Sequence, residues 1–368
     1  MKFIYVMLMK AIFLFLIFTI TIVSIGCASA ADIGCSDLSD SSSLQDVSLD
    51  VDDSIADADY ELSKDSSIIE DIPKSNEKSN LNSSSAGSFT DLNNAVNGNE
   101  NNTIFLNRDY VYTDSDSDFK KGIVINRSLT IYGNGVTIDG SNIAHMFNID
   151  TLENVVLYDI NFINGHASTF GGAIYGTCTA VRCSFKNNQA DIQGGALYYG
   201  DAVDCTFINN KAGHGGAMFA GIARTSSFTN NSAENGGALD STTAYRCRFE
   251  GNVASSEGGA MYRGNADNSI FLNNSAESGG ALSYSNAGSS YFINNSALLF
   301  GGAFKLGNAT DCLFANNTAG RLGGAMMRSN ASYCLIYGNS KNGGQCYQSN
   351  LVSCTVDDDL AAILLDSN

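Results

Sequence analysis

Apolar and polar residues alternate in short runs over residues 89–356, and the pattern recurs with a period of about 22 residues. Each period holds Gly-Gly-Ala followed by an apolar residue and, farther on, a phenylalanine between two residues of variable type. Alternation with a period of two predicts short β-strands that bury one face. Several short strands with Gly and Asn between them predict one coil of a parallel β-helix per period.

Two motifs keep the same spacing throughout the repeat. Gly-Gly-Ala begins at Gly171, Gly194, Gly215, Gly236, Gly258, Gly279, Gly301 and Gly323, and Gly-Gly-Gln begins at Gly343. The second series is Phe162, Phe185, Phe207, Phe228, Phe249, Phe271, Phe292 and Phe314, with Ile336 in the last copy. The shared register predicts an all-β, right-handed parallel β-helix of about 11 coils, in which equivalent residues of successive coils stack.

From Phe185 onward, a small residue lies two positions before the inward-pointing residue of each coil and is predicted to point inward with it. These small residues are Cys183, Cys205, Ser226, Cys247, Ser269, Ser290, Cys312, Cys334 and Cys354. Neighbours such as Cys312 and Cys334 come within disulfide range, although parallel Cβ vectors would strain the bond, so their redox state is left open. Ligands in a straight line do not form a tetrahedral zinc site, and neither a metal nor a cofactor is expected.

From Phe185 to Ile336, asparagine occupies the position three residues after each member of the phenylalanine series. The column consists of Asn188, Asn210, Asn231, Asn252, Asn274, Asn295, Asn317 and Asn339. Stacked amides one strand spacing apart predict a hydrogen-bonded ladder with a structural role. The residue before each is Asn or Gly, which predicts a corner with positive φ.

The flanking segments differ in character from the repeat. Residues 1–30 combine basic residues, an apolar run and Ala28-x-Ala30, which indicates a cleaved secretory signal or an uncleaved membrane anchor. Residues 31–88 are rich in Ser and Asp and are expected to form a disordered linker. Residues 89–96 are predicted to form a capping helix, and residues 357–368 a C-terminal cap or tail.

The net charge of −18, with only 20 Lys and Arg, disfavours a nucleic-acid partner, because phosphate binding needs a basic surface. More than half of this charge belongs to the linker. The acidity therefore describes the linker and not the predicted β-helix.

The Gly-Gly-Ala and Phe-x-x-Asn motifs, with the stretch from Leu129 to Gly140, resemble two related groups. One is the polymorphic outer-membrane protein repeat, and the other is the adhesin-like proteins of methanogenic archaea. The resemblance covers residues 89–356 and implies a pectin-lyase-like fold, a place at the cell surface and a role in attachment or host-cell contact. Larger members carry a C-terminal anchor that is not seen here, so retention is expected to depend on residues 1–30 or on non-covalent contacts.

Catalysis is not expected from the residues of the repeat. Acidic residues are sparse and fall in different columns; the nearest approach to a site is Asp201 and Asp204 with Arg182 one coil away. His214 is interpreted as a corner residue, and Asp114-x-Asp116-x-Asp118 lacks the Gly and Glu of a calcium loop. A carbohydrate-active enzyme and a structural envelope component remain the alternatives to a non-enzymatic adhesin.

Two outward columns are predicted to bind partners. After Gly-Gly-Ala stand the aromatic residues Tyr175, Tyr198, Phe219 and Tyr262, with Asp240 among them. Beside the later phenylalanines runs an apolar stripe of Ile270, Leu272, Tyr291, Ile293, Leu313, Leu335 and Tyr337. The expected partners are a host or neighbouring cell surface, through glycans or protein, and another copy or the C-terminal tail at the stripe.

Overall fold

The computed structural model describes residues 86–98, 100–340 and 343–357. The chain divides into two units, 1–75 and 76–368, and every described residue belongs to the second. The predicted signal or anchor, most of the predicted linker and the tail beyond Asp357 lie outside the described residues. No helix in the described ranges is long and apolar enough to cross a membrane.

The phenylalanine column forms the centre of one parallel sheet, with one strand from each coil. In the described part of the chain its strands are Tyr110–Val111, Thr137–Asp139, Asn161–Ile163, Ser184–Lys186, Thr206–Ile208, Ser227–Thr229, Arg248–Glu250, Ile270–Leu272, Tyr291–Ile293, Leu313–Ala315, Leu335–Tyr337 and Thr355–Asp357. Phe162 pairs with Phe185 and Phe185 with Phe207, so each motif lies directly over the previous one. The predicted parallel β-helix of about 11 coils is confirmed.

A larger parallel sheet takes two strands from most coils, and the two merge in Met218–Arg224 and Leu239–Tyr245. Its other described strands are Thr103–Phe105, Lys121–Ile125, Leu129–Tyr132, His145–Ile149, Val155–Tyr158, Ile174–Tyr175, Thr179–Val181, Leu197–Tyr198, Asp201–Val203, Met261–Tyr262, Asn265–Asp267, Leu282–Ser283, Asn286–Gly288, Phe304–Lys305, Asn308–Thr310, Met326–Met327, Asn330–Ser332, Cys346–Tyr347 and Asn350–Val352. Two smaller parallel sheets complete the described coils. One has two strands, His166–Ala167 and Gln189–Ala190. The other has five strands: Ser232–Asn235, Val253–Glu257, Ser275–Ser278, Ser296–Phe300 and Thr318–Ala319.

The interior is a set of stacked columns. Neighbouring phenylalanine rings from Phe162 to Phe314 are nearly parallel, with centroids 4.7–5.0 Å apart. The cysteines from Cys183 to Cys334 are buried beside them as free thiols. Burial raises the pKa of Cys247 to about 11, so this thiol stays protonated and acts as a small apolar filler.

The asparagine column forms a continuous ladder in the interior. The Nδ2 of Asn252 donates to Oδ1 of Asn274 at 3.0 Å and to the backbone oxygen of Phe228 at 2.9 Å. The backbone N–H of Asn252 donates to the same Oδ1 at 3.0 Å. At the C-terminal end Asn339 donates to Gln345, so the residue that replaces Ala in the last glycine motif terminates the ladder.

Close approach between coils explains the glycine pairs. Gly194 has φ +64°, and a Cβ on Gly195 would lie 2.0 Å from the carbonyl oxygen of Gly216 in the next coil. The first position needs the left-handed region and the second has no room for a side chain. Asn187, at the other corner, has φ +58°, which agrees with the conformation predicted for that column.

A short α-helix, α1 (Phe89–Asn97), begins at Ser88 with a reciprocal capping box to Asp91 and buries Phe89, Leu92 and Val96. It contacts the first strands and a 3-10 helix, Asp114–Phe119. The predicted capping helix is therefore present. Asp116, within the 3-10 helix, accepts hydrogen bonds from Thr90 and Thr113 and is buried, which makes it a structural link between the two helices.

Candidate functional site

Side chains on either side of each Gly-Gly-Ala corner meet on the outside of the β-helix. The residue before the glycine pair contacts the residue after the corner of the next coil. The rings of Phe170 and Tyr198 lie 4.6 Å apart, and Nδ1 of His214 lies 3.1 Å from a carboxylate oxygen of Asp240. We call this two-column surface the corner face. Its first column is Phe170, Gln193, His214, Asn235, Glu257, Ser278, Phe300 and Leu322, and its second is Tyr175, Tyr198, Phe219, Asp240, Tyr262, Ser283, Lys305, Met327 and Tyr347.

The aromatic members of the second column stack on one another. The Tyr175 and Tyr198 rings are 5.4 Å apart at 9°, and the Tyr198 and Phe219 rings are 5.6 Å apart at 15°. Both faces of Tyr198 are therefore covered by neighbouring rings, and only ring edges and hydroxyl groups point outward. The column contributes mainly to coil packing, and a sugar ring has no free face of Tyr198 on which to stack.

Asp240 breaks this aromatic column with a buried charge. It pairs in register with Phe219 below and Tyr262 above, and its side chain is 0% exposed. Arg263 donates from Nε and Nη2 to its two oxygens at 3.0 and 2.8 Å. His214 and the Ser241 hydroxyl complete its partners. Removing an ionised carboxylate from water costs free energy, and the hydrogen bonds from these donors compensate for the desolvation of Asp240.

Arg263 and His214 each keep one side free for a ligand. The guanidinium group of Arg263 lies 4.8 Å from the centre of the Tyr262 ring, and its side chain remains 46% exposed. Hydrogen bonding to Asp240 raises its pKa, so it is permanently charged. Nδ1 of His214 faces Asp240. No described residue forms a hydrogen bond with the other ring nitrogen, Nε2.

A second ion pair, between Glu257 and Lys305, lies beside the first on the corner face. Glu257 binds the ammonium group of Lys305 at 2.6 Å and accepts a hydrogen bond from the hydroxyl of Ser283. Tyr262 lies between the two pairs; burial is the main factor that raises its pKa, and the charge of Arg263 partly opposes it. His214, Asp240, Tyr262, Arg263, Glu257 and Lys305 thus form one charged cluster.

Sequence reasoning did not bring this cluster together. Asp240 and Glu257 were assigned to unrelated columns and His214 to a simple corner, because the contact joins the first column of one coil to the second column of the next. Arg263 was not singled out at all. An available signal was Asp240, which interrupts the run of aromatic residues from Tyr175 to Tyr262 in its column and precedes a position that carries Arg in the following coil.

The acidic group considered from the sequence is dispersed. Arg182 binds Asp159 at 2.8 Å, whereas Asp201 accepts a hydrogen bond from the backbone N–H of Ile222. Asp204 accepts one from the hydroxyl of Thr225. Asp204 lies one coil from Arg182 and close enough for its charge to act on the guanidinium group, whereas Asp201 lies in a different strand and binds elsewhere.

The apolar stripe is less exposed than its pattern predicts. Tyr291 is 37% exposed, and Leu272 is only 5% exposed. The expectation that Leu272 faces solvent is wrong. Its strand neighbours in register are Glu250 below and Ile293 above, and the side chain is buried on this outer side of the sheet. The other members, Ile270, Ile293, Leu313, Leu335 and Tyr337, are half-buried.

Two stretches match the model of the Chlamydia polymorphic membrane protein (Chlamydia_PMP) repeat, residues 182–200 and 225–242. The resemblance to this repeat is confirmed there, and the second stretch ends within the charged cluster. No curated protein matches the sequence.

Among solved structures, the surface adhesin PfbA of Streptococcus pneumoniae shares 10% identity over 74% of this chain and 93% of its own, with a TM-score of 0.36. A mannuronic acid specific polysaccharide family 6 lyase from human gut microbiota shares 11% over 73% and 81%, with a TM-score of 0.36. The A-module of the Azotobacter vinelandii mannuronan C-5 epimerase AlgE4 shares 8% over 70% and 89%, with a TM-score of 0.28. Similarity this low assigns none of their activities to this chain.

Proposed function

We propose that this chain is a cell-surface, adhesin-like protein that attaches to glycans through the corner face. The observation that carries the proposal is the charged cluster around Asp240. Buried ion pairs contribute little net stability compared with apolar side chains, so their presence in a solenoid of apolar and amide columns points to recognition. Exposed Arg and His nitrogens beside tyrosine rings supply the hydrogen bonds and the apolar contact that a sugar requires.

Attachment without chemical change suits the state of the carboxylates. Glycoside hydrolysis by two carboxylates needs both to reach the scissile bond from opposite sides. Asp240 is fully buried under Arg263 and His214, and Glu257 is held by Lys305 and Ser283. Both acids are occupied in positioning their partners, which present donors to the outside.

Binding of the purified protein to whole cells tests the proposal. Cells stripped of surface glycans by periodate are expected to lose the protein, whereas cells treated with protease are expected to retain it. Antibody labelling of intact producing cells is expected to detect the chain at the surface. Equal binding to periodate-treated and untreated cells, or the absence of surface labelling, would contradict the proposal.

A carbohydrate-active enzyme is the second candidate, and the pair of His214 and Asp240 favours it. A carboxylate on Nδ1 orients an imidazole so that its free Nε2 can accept a proton from a substrate. Incubation with polysaccharides, followed by chromatography of the products, distinguishes the candidates. Shortened or altered chains that disappear in His214→Ala would establish catalysis and displace simple attachment.

A further inference from the structure

A third outward column follows the second column of the corner face by one residue. Its members have positive φ, which turns each side chain away from the strand: Tyr199 +63°, Ala220 +53°, Ser241 +55°, Arg263 +53° and Tyr284 +51°. Positive φ is uncommon for residues with a Cβ, and each position costs backbone energy. Two of these residues are tyrosines that are 52% exposed.

Tyr199 has one ring face turned to solvent. Its ring stands at 87° to that of Tyr198, with the centroids 4.6 Å apart. Both faces of Tyr198 are already covered by stacked rings, so the edge of Tyr198 meets a face of Tyr199. The ring of Tyr199 also contacts that of Phe219, at 73° with the centroids 6.5 Å apart. Because Phe219 stacks on Tyr198, both contacts lie on the same side of Tyr199, and its other face forms a platform on which a sugar can stack.

Tyr284, farther along the β-helix, also stands nearly perpendicular to a ring of the second column, but that ring belongs to the preceding coil. Its ring stands at 82° to that of Tyr262, with the centroids 5.7 Å apart. Tyr262 also carries the guanidinium group of Arg263 over its ring at 4.8 Å. Tyr284 is held upright against this supported ring and leaves half of its surface in water.

The two platforms are four coils apart. The register runs from Tyr198 to Phe219, Asp240, Tyr262 and Ser283, the residues that precede each member of the third column. Four strand spacings of about 4.8 Å separate Tyr199 from Tyr284 by about 19 Å, which matches the distance between the first and fifth rings of a chain whose ring centres are about 5 Å apart. Ala220 and Ser241 are small and leave the intervening surface low, and Arg263 and His214 supply polar donors there.

We propose that the corner face and the third column beside it hold a linear, β-1,4-linked pyranose chain that lies parallel to the axis of the β-helix, with its ends stacked on Tyr199 and Tyr284. Arg263 and the free Nε2 of His214 bind hydroxyl or carboxylate groups of the central sugars. An extended β-1,4-linked chain is straight, as is the column beneath it. This assignment of the ligand class rests on the proposed attachment to glycans.

The test is calorimetric titration of the purified protein with β-1,4-linked oligomers of glucose, N-acetylglucosamine and a uronic acid, each from disaccharide to hexasaccharide. At least one series is expected to gain affinity steeply up to the pentasaccharide and little beyond it. Tyr199→Ala and Tyr284→Ala are each expected to weaken Kd for the pentasaccharide about tenfold and to leave disaccharide binding nearly unchanged.

Tyr333→Ala is the matched control, because Tyr333 is 65% exposed with φ +57° and lies off the corner face. Its Kd is expected to equal that of the wild type. The proposal is overturned if no series binds, if affinity does not depend on length, or if all three tyrosine variants behave alike. Periodate-sensitive cell attachment with no binding to these oligomers would retain the proposed function and reject this ligand.

Discussion

A single buried carboxylate shows how the corner face is held together at the scale of residues. Asp240 is surrounded by Arg263, His214 and Ser241, and each of these partners comes from the corner or from an adjacent coil. Because no water reaches Asp240, its charge depends entirely on these donors. The stability that the interaction of Asp240 with Arg263 contributes therefore depends on the assembly of adjacent coils, and a single substitution measures it.

Arg263→Ala is expected to lower the free energy of unfolding by about 2–3 kcal/mol, because it leaves the buried carboxylate of Asp240 with fewer donors. Urea unfolding followed by circular dichroism measures the loss. Arg328→Ala is the control: Arg328 occupies the same column with φ +49° and binds the exposed Gln348. Equal losses in the two variants would show that Asp240 does not depend on Arg263.

The structural role of the asparagine ladder can be tested by substituting one of its members. Asn252→Ala removes the Oδ1 that accepts from the backbone N–H and Nδ2 of Asn231, both of them buried. The expected cost is about 2–4 kcal/mol, since buried donors without acceptors lose their full solvation. Asn273→Gly, at the neighbouring exposed corner with φ +54°, is expected to be nearly neutral. A neutral Asn252→Ala would disprove the structural role of the ladder.

Residues that recur in every coil were predictable, and residues that differ from the repeat were not. Asn252 and Phe249 follow from a column of equivalents, because stacking places like residues over like. The contact of His214 with Asp240 depends on an offset of one coil between two columns, which the period alone does not give. Tyr199 was missed because its column holds Ala, Ser, Arg and Leu elsewhere, so no pattern marked it.

At the scale of elements, the capping helix α1 depends on one acidic side chain. Burial alone would raise the pKa of Asp116, but hydrogen bonds from Thr113 and Thr90 outweigh it and lower the pKa to about 2. The ordinary value is 3.8, so the folded state favours the ionised form. This stabilisation is complete above about pH 4 and is lost as the pH falls towards 2.

We therefore expect the stability difference between wild type and Asp116→Asn to be about 2 kcal/mol at pH 6 and to vanish near pH 2. Subtracting the two curves removes the titration of the other carboxylates. Hydrogen exchange of the amides in α1 locates the effect. A difference that stays constant with pH would mean that the charge of Asp116 does not anchor the helix.

The strand that contains Leu272 shows why the predicted solvent exposure of this residue was wrong. Its strand, Ile270–Leu272, alternates correctly around the buried Phe271, and alternation assigns Leu272 to the outer side of the sheet. Being on the outer side does not fix exposure, since an outer side chain is also covered by its neighbours in three dimensions. Period and register were therefore predictable from the sequence for this element, whereas its burial required the packed structure.

At the scale of the whole β-helix, each coil contacts mainly the coils before and after it, so stability is expected to add up along the axis. Ala297 pairs with Ala319, and deletion of residues 298–319 therefore joins two equivalent positions and removes one complete coil. The shortened protein is expected to fold, with like columns still stacked and the β-helix shorter by about 4.8 Å. Small-angle scattering measures the length and circular dichroism the strand content. Deletion of residues 298–308 removes only part of a coil and sets Phe292 out of register with Phe314, which is expected to unfold the C-terminal coils. If both deletions behaved alike, the coils would not be independent stacked units, and the fixed distance between Tyr199 and Tyr284 would lose its basis.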